Sequence, residues 1–379
     1  MSSLECRGAI GAARTAATEH WICREPLSLE LGGVLPSFTL AYRTWGELSE
    51  AADNAVIVCH ALTGSADADD WWNDLFGPGR TLDPERDFIV CSNVLGGCYG
   101  STGPASPGPD GVPYGRRFPA LTIRDQVIAQ MRLADALGIR SIALVVGGSM
   151  GGLQVFEWAL LDPERVRSIA AIAASASHSA WCISWSETQR LALRADPRFR
   201  NGDYAPDAPP VAGLGAARAI AMTTYRSPTT LSQRYGRTDG ATVFGERALA
   251  PDEFAVRSWL RHHAENFCER FDANCYLGLI DAMDRHDIGR GRGGVDAALR
   301  RIVQPTMIVA VSSDALYVTS DQLAICEHLS DVRFVEITSD HGHDGFLIDA
   351  AQIDPYLVSF RGRHGRMVQS MPEQATGIV

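Results

Sequence analysis

The chain has 379 residues, of which 46% are hydrophobic and 21% are charged, and it carries a formal net charge of −11. A chain of this length buries one large core or two smaller ones, and its acidic balance argues against nucleic acid or an anionic membrane surface as the main partner. No apolar run reaches the roughly 18 residues that span a bilayer, and the N-terminus has no continuous apolar stretch of the signal-peptide kind, so we expect a cytoplasmic protein.

Six short apolar runs predict strands, and helical patterns separate several of them. The predicted strands lie at 55–62, 88–95, 142–148, 168–175, 306–313 and 333–339, with helices at 122–138 and 151–166. Most of the runs are apolar on both faces, which is typical of buried parallel strands. Strands that alternate with helices predict the α/β class, with a mainly parallel sheet flanked by helices.

The alternation of strands and helices stops between about 176 and 300. This stretch has mostly helical patterns, as in "SETQRLALRAD", "GLGAARAIAMTTYRS", "PDEFAVRSWLRHHAENFCERF" and "NCYLGLIDAMDRH". We therefore predict a discontinuous core of residues 1–175 and 301–379, interrupted by a helical insertion at 176–300. The polar tail after about 362 is expected to be loose.

Nine cysteines are scattered through the chain and form no C-x-x-C pair. Secreted scaffolds held by disulfides concentrate their cysteines in short chains, so reduced and mostly buried thiols are expected here. The spacing offers no ligand set for a structural zinc ion, and we expect no metal site.

A serine between glycines stands where a predicted strand gives way to a helix, in "ALVVGGSMGGLQVFEWAL". Gly147, Ser149 and Gly151 match G-x-S-x-G, with the strand expected to end at Val146 and the helix to begin at about Met150. This context is that of a nucleophile elbow, a strained turn in which small neighbours prevent clashes. The alternative is a plain glycine-rich turn between a strand and a helix.

A serine hydroxyl is a poor nucleophile until a base activates it. In a fold with a nucleophile elbow, the partners follow the serine in the order acid, then histidine. Asp314 ends the predicted strand at 306–313, and His343 lies just past the predicted strand at 333–339. Both therefore lie in loops that can reach Ser149, and we predict a catalytic triad of these three residues.

Other interpretations of the two partners stay open. Asp314 is also placed to cap the helix that follows it, and His343 to be an ordinary loop histidine. His341 is the nearest rival for the role of base. The pair His262–His263 lies on a predicted helix and is expected at the surface rather than as a ligand.

The intermediate of acyl transfer carries an oxyanion, which needs two backbone N–H donors. One comes from the residue after the nucleophile, here Met150. The loop "CHALTGS" (59–65) follows an early strand and suits the second role. We predict that the N–H of Leu62 is this second donor.

Six blocks of the sequence resemble the homoserine O-acyltransferases of the α/β-hydrolase fold, the MetX-type enzymes of methionine biosynthesis. They occur in the right order between about 24 and 360 and read "CHALTGSADADDWW", "NVLGGCYGSTGPASP", "VVGGSMGGLQVFEWAL", "ARAIAMTTYRSP", "RFDANCYLGLIDAMD" and "GHDGFL". The resemblance implies that Ser149 takes the acyl group from an acyl-CoA, and that the hydroxyl of homoserine then takes it from the serine. It also implies that the insertion is a lid that keeps water off the acyl-enzyme and builds a homodimer interface, with no cofactor beyond the CoA substrate.

The resemblance further assigns an arginine and an aspartate to the amino-acid acceptor. They match Arg218, in "GLGAARAIA", and Asp344, directly after His343. A guanidinium grips an α-carboxylate through two hydrogen bonds, and a carboxylate receives an α-ammonium. Without the resemblance, Arg218 would be an arginine on a solvated helix face.

The identity of the acyl donor is predicted from the position two residues after Asp314. The resemblance implies that succinyl-using relatives carry an arginine there, whereas this chain has Leu316. A succinyl carboxylate beside an apolar residue would be buried without a partner, so acetyl-CoA is expected. Arg43, Arg116 and Arg117 stay open as cations that approach from loops, and succinyl transfer stays the alternative.

Serine is the alternative acceptor, because it differs from homoserine by one methylene, worth only about 1–3 kcal/mol of discrimination. The resemblance implies that serine-acylating relatives read Gly-Asn-Ser at the elbow, whereas this chain reads Gly-Gly-Ser. An esterase or thioesterase, with water as acceptor, is a rival class. A non-catalytic protein on the hydrolase fold is disfavoured by the intact triad, and a P-loop NTPase is excluded because no G-x-x-x-x-G-K-[ST] is present.

Overall fold

The computed structural model describes residues 18–239 and 254–364. Eight strands form the main sheet: β1 (Glu19–Cys23), β4 (Phe38–Trp45), β5 (Ala55–Cys59), β6 (Phe88–Ser92), β7 (Ile142–Gly148), β8 (Ile169–Ile172), β9 (Thr306–Val311) and β10 (Val332–Ile337). Two further short strands, β2 (Leu27–Ser28) and β3 (Val34–Leu35), pair with each other as a separate ribbon.

The strand order is β1-β4-β6-β5-β7-β8-β9-β10, and all pairings from β6 to β10 are parallel. β4 pairs antiparallel with both β1 and β6. Every residue of β5 and β9 is buried, which explains why their sequences are apolar on both faces. The sheet thus places the carboxyl ends of β5, β7, β9 and β10 along one edge.

Twelve helices lie within the described residues. They are α1 (Ala68–Trp71), α2 (Ile123–Ala136), α3 (Met150–Leu161), α4 (Ala180–Arg194), α5 (Val211–Tyr225), α6 (Pro228–Tyr235), α7 (Ala255–Cys268), α8 (Ala273–Asp284), α9 (Val295–Leu299), α10 (Thr319–Cys326), α11 (Gly345–Ile348) and α12 (Ala350–His364). None of them combines the length and the apolar character that crossing a membrane requires.

Two apolar clusters cover the two faces of the sheet. Alternate residues of a strand point to opposite faces, and Ile57 packs in one cluster with Trp158 of α3, whereas Val58 packs in the other with Leu357 of α12. A third cluster joins α4, α5, α7 and α8 to the top of the sheet, with Phe267 and Tyr276 fully buried in it. The candidate site lies between this third cluster and the strand ends.

All six predicted strands are present, and five of them end two or three residues earlier than predicted, because the chain leaves the sheet for the loops at its carboxyl edge. β7 instead continues past Val146 to Gly148, which pairs with Ile172 of β8. The predicted helix at 151–166 ends at Leu161, since Pro163 follows closely. β1 and β4 were not predicted.

Between β8 and β9, the described part of the chain carries α4 to α9 and contributes no strand to the main sheet. We call residues 176–300 the helical segment. Its division from the core as a separate lid stays a prediction. α12 continues the fold to His364, beyond the predicted start of a loose tail; the remaining tail, the N-terminal stretch 1–17 and Cys6 lie outside the described residues. The other eight cysteines are free thiols.

Candidate active site

Ser149 lies in a strained turn between β7 and α3. Its backbone has φ 56° and ψ −125°, a conformation that L-residues adopt only when their surroundings impose it. Its N–H donates to the carbonyl of Ile172 at 2.9 Å. A Cβ on Gly151 would lie 2.0 Å from the carbonyl oxygen of Cys59, and one on Gly152 2.4 Å from the Cβ of Ala174. The glycines after the serine therefore allow α3 to begin directly against the sheet.

The loops after β9 and β10 bring Asp314 and His343 to this serine. The Nε2 atom of His343 lies 2.8 Å from the Oγ of Ser149, and its Nδ1 atom lies 2.7 Å from an oxygen of Asp314. All three residues are more than 90% buried. With the proton on Nδ1 held by Asp314, Nε2 accepts the hydrogen bond of the serine hydroxyl, the arrangement in which histidine is a general base.

The charge of Asp314 tunes this base. Burial alone would lower the pKa of His343, but the negative charge of Asp314, its hydrogen bond and the nearby charge of Asp344 together raise the pKa above the usual value. The second oxygen of Asp314 accepts the backbone N–H groups of Leu316 and Tyr317 at 2.8 and 3.0 Å. Asp314 thus orders the loop that follows it as well as contacting His343.

His341, the rival base, occupies a different position. Its backbone N–H donates to the Oγ of Ser339, and its Nδ1 atom is buried without a hydrogen-bond partner. The structure brings the Nε2 of His343, and not a ring atom of His341, within hydrogen-bond distance of Ser149.

The predicted oxyanion donors belong to one buried cluster. Leu62 lies in the loop that follows β5, the strand beside β7, and Met150 is the first residue of α3. Leu62 also lines the cavity described next. Their assignment as oxyanion donors stays a prediction.

Ser149 and His343 open into a cavity of about 410 Å³. Residues 61–65 of the loop after β5 form one wall, and the helical segment contributes much of the rest. The arginines and the histidine that the helical segment places on the wall are Arg218, Arg226, His263 and Arg270. This part of the wall is therefore rich in positive charge.

Arg218 enters this cavity with unused hydrogen-bond donors. Its Nε and NH1 atoms are buried and have no partner within the described residues, and its guanidinium carbon lies 4.9 Å from the ring centre of Phe267. Buried donor atoms without a hydrogen-bond partner are costly, so a ligand anion is the expected partner. Arg270 differs, because it already donates to the carbonyl of Thr63 and the hydroxyl of Tyr99.

Asp344 lines the same cavity and is paired with Arg226, a residue that the sequence analysis did not identify. The NH2 atom of Arg226 lies 3.1 Å from its Oδ2 atom, with the two side chains 13% and 17% exposed. Burial raises the pKa of Asp344, and the positive charges of Arg226, His343 and Arg218 oppose the rise only in part. Arg226 follows α5 directly, so the block "TTYRSP" could have drawn attention to it.

Leu316, predicted to select the acyl donor, lies beside the triad but does not line this cavity. It packs against the third cluster, and its carbonyl accepts from the thiol of Cys182 at 3.2 Å. The arginines left open as alternatives are also elsewhere: Arg43 pairs with Asp67 and Asp69, Arg117 pairs with Asp110, and Arg116 lines a separate cavity.

The expectation that His262–His263 lies at the surface is right for the first residue and wrong for the second. His262 is exposed, whereas the half-buried His263 faces the cavity, with its ring 4.9 Å from that of Trp259. Burial, with the charges of Arg218 and His262, lowers the pKa of His263 to about 4. Two neighbours on one helix point in directions 100° apart, and this rotation carries His263 inward.

A second set of buried polar side chains supports the loop of Asp314 from behind. The hydroxyl of Tyr317 lies 3.1 Å from Nε2 of His178, whose Nδ1 lies 3.1 Å from Asp284. Asp284 in turn accepts from Arg190 of α4 at 2.7 Å. In the described ranges, no group of three or more His, Cys, Asp or Glu side chains is placed to hold a metal ion.

Comparisons with known proteins identify the family of this chain. Residues 54–350 match the family model of the α/β-hydrolase fold. The homoserine O-acetyltransferase of Trichormus variabilis is 49% identical over 345 residues, which cover 91% of this chain and 94% of the relative. The chain therefore belongs to the homoserine O-acetyltransferase family.

Solved structures give the same architecture. The homoserine O-acetyltransferase of Bacillus anthracis superposes with a TM-score of 0.83 at 22% identity, covering 91% of this chain and 97% of that one, a likeness of fold alone. An acetylester hydrolase from Corynebacterium glutamicum is 27% identical with a TM-score of 0.79, covering 91% of this chain and 96% of its own. The prediction of an α/β-hydrolase fold is confirmed.

Proposed function

We propose that the protein moves an acetyl group from acetyl-CoA to the hydroxyl of L-homoserine, through an acyl-serine intermediate, in methionine biosynthesis. The observation that carries the proposal is the hydrogen-bonded triad of Ser149, His343 and Asp314 beside a cavity in which Arg218 keeps unused donors. A relative that is 49% identical and is named homoserine O-acetyltransferase supports the choice of substrates.

In the first half-reaction, the Oγ of Ser149 attacks the thioester carbonyl while Nε2 of His343 takes the hydroxyl proton. The N–H groups of Leu62 and Met150 would hold the oxyanion. The carbon–sulfur bond then breaks, and the CoA thiolate leaves with the proton from His343. The products are an acetyl ester on Ser149, free CoA and neutral His343.

In the second half-reaction, homoserine replaces CoA. Neutral His343 removes the proton of the homoserine hydroxyl, whose oxygen attacks the acetyl ester. The bond to the Oγ of Ser149 breaks, and the serine regains its proton from His343. One acetyl group is transferred, and the enzyme returns to its starting state without a metal or an organic cofactor besides acetyl-CoA.

The acceptor would be held by charge at its α-carbon, which carries both ionic groups. Arg218 would bind the α-carboxylate, for which its two free donors are suited. Asp344 would receive the α-ammonium. This clamp would also place homoserine, rather than water, against the acyl-enzyme.

The preference for acetyl over succinyl rests on the relatives rather than on Leu316, because that residue lies off the cavity wall. The helical segment would act as a lid that keeps water from the ester and would form the interface of a homodimer. We also propose that the enzyme works in the cytoplasm.

Hydrolysis of acetyl esters is the second candidate, because an acetylester hydrolase shares the fold at 27% identity. Water would then replace homoserine in the second half-reaction. The unpaired guanidinium of Arg218 favours the transferase, since water needs no anion clamp.

Product analysis by mass spectrometry tests the proposal. The purified protein would receive acetyl-CoA and succinyl-CoA in equal amounts, with equal homoserine and serine, and Ser149→Ala would serve as the control. We expect O-acetylhomoserine as the dominant product of the wild type alone. A succinylated or serine-derived product would refute the substrate assignment, whereas free acetate with no acylated amino acid would establish the hydrolase.

A further inference from the structure

We propose that Arg226 holds Asp344 as an oriented carboxylate anion, and that it thereby makes the acceptor subsite selective for molecules with an ammonium group. The inference rests on the proposed function, and it concerns a residue with no part in the acyl-transfer chemistry itself. The contact that points to it is the one between NH2 of Arg226 and Oδ2 of Asp344, at 3.1 Å.

Asp344 needs such a partner because its surroundings favour the neutral carboxyl. Burial raises its pKa, and the charge of Asp314 adds to the rise. Arg226 is the largest opposing influence, followed by His343 and Arg218. A neutral carboxyl cannot offer the charge that holds an ammonium, so losing Arg226 would weaken the binding of an ammonium group at the subsite.

The geometry leaves Asp344 room for a ligand. Arg226 engages Oδ2, and Asp344 lines the cavity in which a ligand would lie. A carboxylate accepts hydrogen bonds at both oxygens. One arginine and one ammonium can therefore share this carboxylate.

The position of Arg226 is fixed from two sides. Its guanidinium carbon lies 6.0 Å from the ring centre of Trp259. Its backbone packs against Gly342, where an added Cβ would lie 2.7 Å from the carbonyl carbon of Arg226. Gly342 precedes His343 and has φ +68°, so the chain turns at this contact and presents Asp344 to the guanidinium.

The two arginines of α5 and its end differ in what they leave free. Arg218 keeps both Nε and NH1 buried without partners in the described structure, whereas Arg226 keeps only Nε in that state and pairs NH2 with Asp344. We therefore assign the anion of the ligand to Arg218 and the support of Asp344 to Arg226.

The positive charges around the cavity mean that an ammonium group can bind only if Asp344 is an anion. Arg218, Arg226 and Arg270 line the cavity, together with the titratable His263 and His343. Apart from the exposed Asp70, Asp344 is the only carboxylate residue on this wall within the described chain. An ammonium group entering this cationic cavity would be repelled unless Asp344 were charged.

The test compares two acceptors that differ only in the amino group: L-homoserine and 4-hydroxybutyrate. The variants are Arg226→Gln, Arg226→Lys and, as a matched control, Arg234→Gln on the exposed face of the neighbouring α6. In Arg226→Gln we expect kcat/KM for homoserine to fall roughly 10- to 100-fold, the range for a charge-assisted contact. The value for 4-hydroxybutyrate should change far less, so the ratio of the two kcat/KM values is the measure of selectivity.

Arg226→Lys should restore much of the discrimination, because it returns the positive charge. The pH profile gives an independent readout. Without Arg226 the pKa of Asp344 rises further, so the carboxylate forms only at higher pH. The acid limb of kcat/KM for homoserine, measured relative to that for 4-hydroxybutyrate because His343 serves both acceptors, should therefore move to higher pH in Arg226→Gln and stay in place in Arg234→Gln.

Equal losses of kcat/KM with both acceptors would overturn the inference, because Arg226 would then bind the carboxylate that the two acceptors share, or stabilise the fold. Calorimetric titration of Ser149→Ala with each acceptor reads the subsite without turnover. If the wild type forms no acyl-enzyme but Ser149→Ala binds homoserine in preference to 4-hydroxybutyrate, and Arg226→Gln abolishes that preference, the proposed function fails and the inference stands. If Ser149→Ala binds both acceptors equally, the inference fails.

Discussion

The sheet and the helical segment hold the two halves of the candidate site by different means. The sheet fixes Ser149 through the backbone: a strained residue, glycines without room for a Cβ, and a hydrogen bond to β8. The helical segment holds the loop of Asp314 through side chains. Trp181 donates to the carbonyl of Ala315 at 2.6 Å, and the thiol of Cys182 to that of Leu316 at 3.2 Å.

The loop of His343 is held in a similar way from α6. Ser227 and Thr230 both donate their hydroxyls to the carbonyl of Asp340. The helical segment therefore touches both loops that carry the acid and the base. The turn that carries Ser149 should therefore not tolerate a methyl group added to one of its glycines. The positions of Asp314 and His343 should instead depend on several contacts of modest strength.

The largest effect is expected where the two regions meet, at Asp314. Asp314→Asn removes the charge that holds the tautomer of His343, so kcat should fall by roughly 10³–10⁴-fold, as in Ser-His-Asp enzymes generally. The neutral histidine is the base, and activity is lost as the pH falls through its pKa. Because Asp314 raises that pKa, the acid limb of the rate profile should move to lower pH in the variant.

Steady-state rates between mild acid and neutral pH check this prediction, with Asp321→Asn on the exposed part of α10 as the control. An unchanged acid limb together with a retained kcat would show that the acid of the triad is not Asp314. The comparison between the sheet and the helical segment would then lose its basis.

The next effect tests the rigidity of the sheet side. Gly151→Ala would place a Cβ 2.0 Å from the carbonyl oxygen of Cys59, and backbone atoms cannot move aside without shifting β5. We expect a loss of about 3 kcal/mol or more in the free energy of unfolding. Thermal or denaturant unfolding measures it.

Gly278→Ala is the matched control in the helical segment. A Cβ at this exposed position of α8 would meet no atom within 4 Å, so the variant should gain about 0.5–1 kcal/mol in stability. Equal destabilisation by the two substitutions would contradict the difference between the regions.

A smaller effect is expected from Tyr317→Phe, which removes only the hydroxyl that contacts His178. The backbone N–H of Tyr317 would still reach Asp314. Leaving Nε2 of His178 buried without a partner should cost about 1–2 kcal/mol in the free energy of unfolding, with less than a tenfold change in kcat. Tyr356→Phe, at an exposed position of α12, is the control. A loss of activity as large as that of Asp314→Asn would mean that Tyr317 takes part in the chemistry.

The parts of the fold that depend on local pattern could be predicted from the sequence. Buried parallel strands must be apolar on both faces, so the six runs identified the centre of the sheet. β4 was missed because it is antiparallel and partly exposed, and polar residues such as Thr39, Arg43 and Thr44 interrupt its apolar face. The alternation in "FTLAYRTW", with its aromatic and β-branched residues, was a usable signal.

The contacts among Ser149, Asp314 and His343 could be predicted because each residue lies after a strand end, where chain order and sheet geometry agree. The positions of Arg226 and His263 in the cavity could not be predicted, since they depend on how helices of the helical segment turn toward the sheet. A side chain on a helix faces the cavity or the solvent according to packing that no local pattern contains. The position of Leu316 off the cavity wall has the same cause.

The central claim is that Ser149 carries the acetyl group between donor and acceptor. Mixing the protein with acetyl-CoA in the absence of acceptor, quenching in acid and measuring the intact mass tests this most directly. We predict a species heavier by one acetyl group, located on Ser149 by peptide mapping, absent from Ser149→Ala and discharged when homoserine is added. A wild-type protein that forms O-acetylhomoserine with no acetylated serine at any time, and an active Ser149→Ala, would contradict the account.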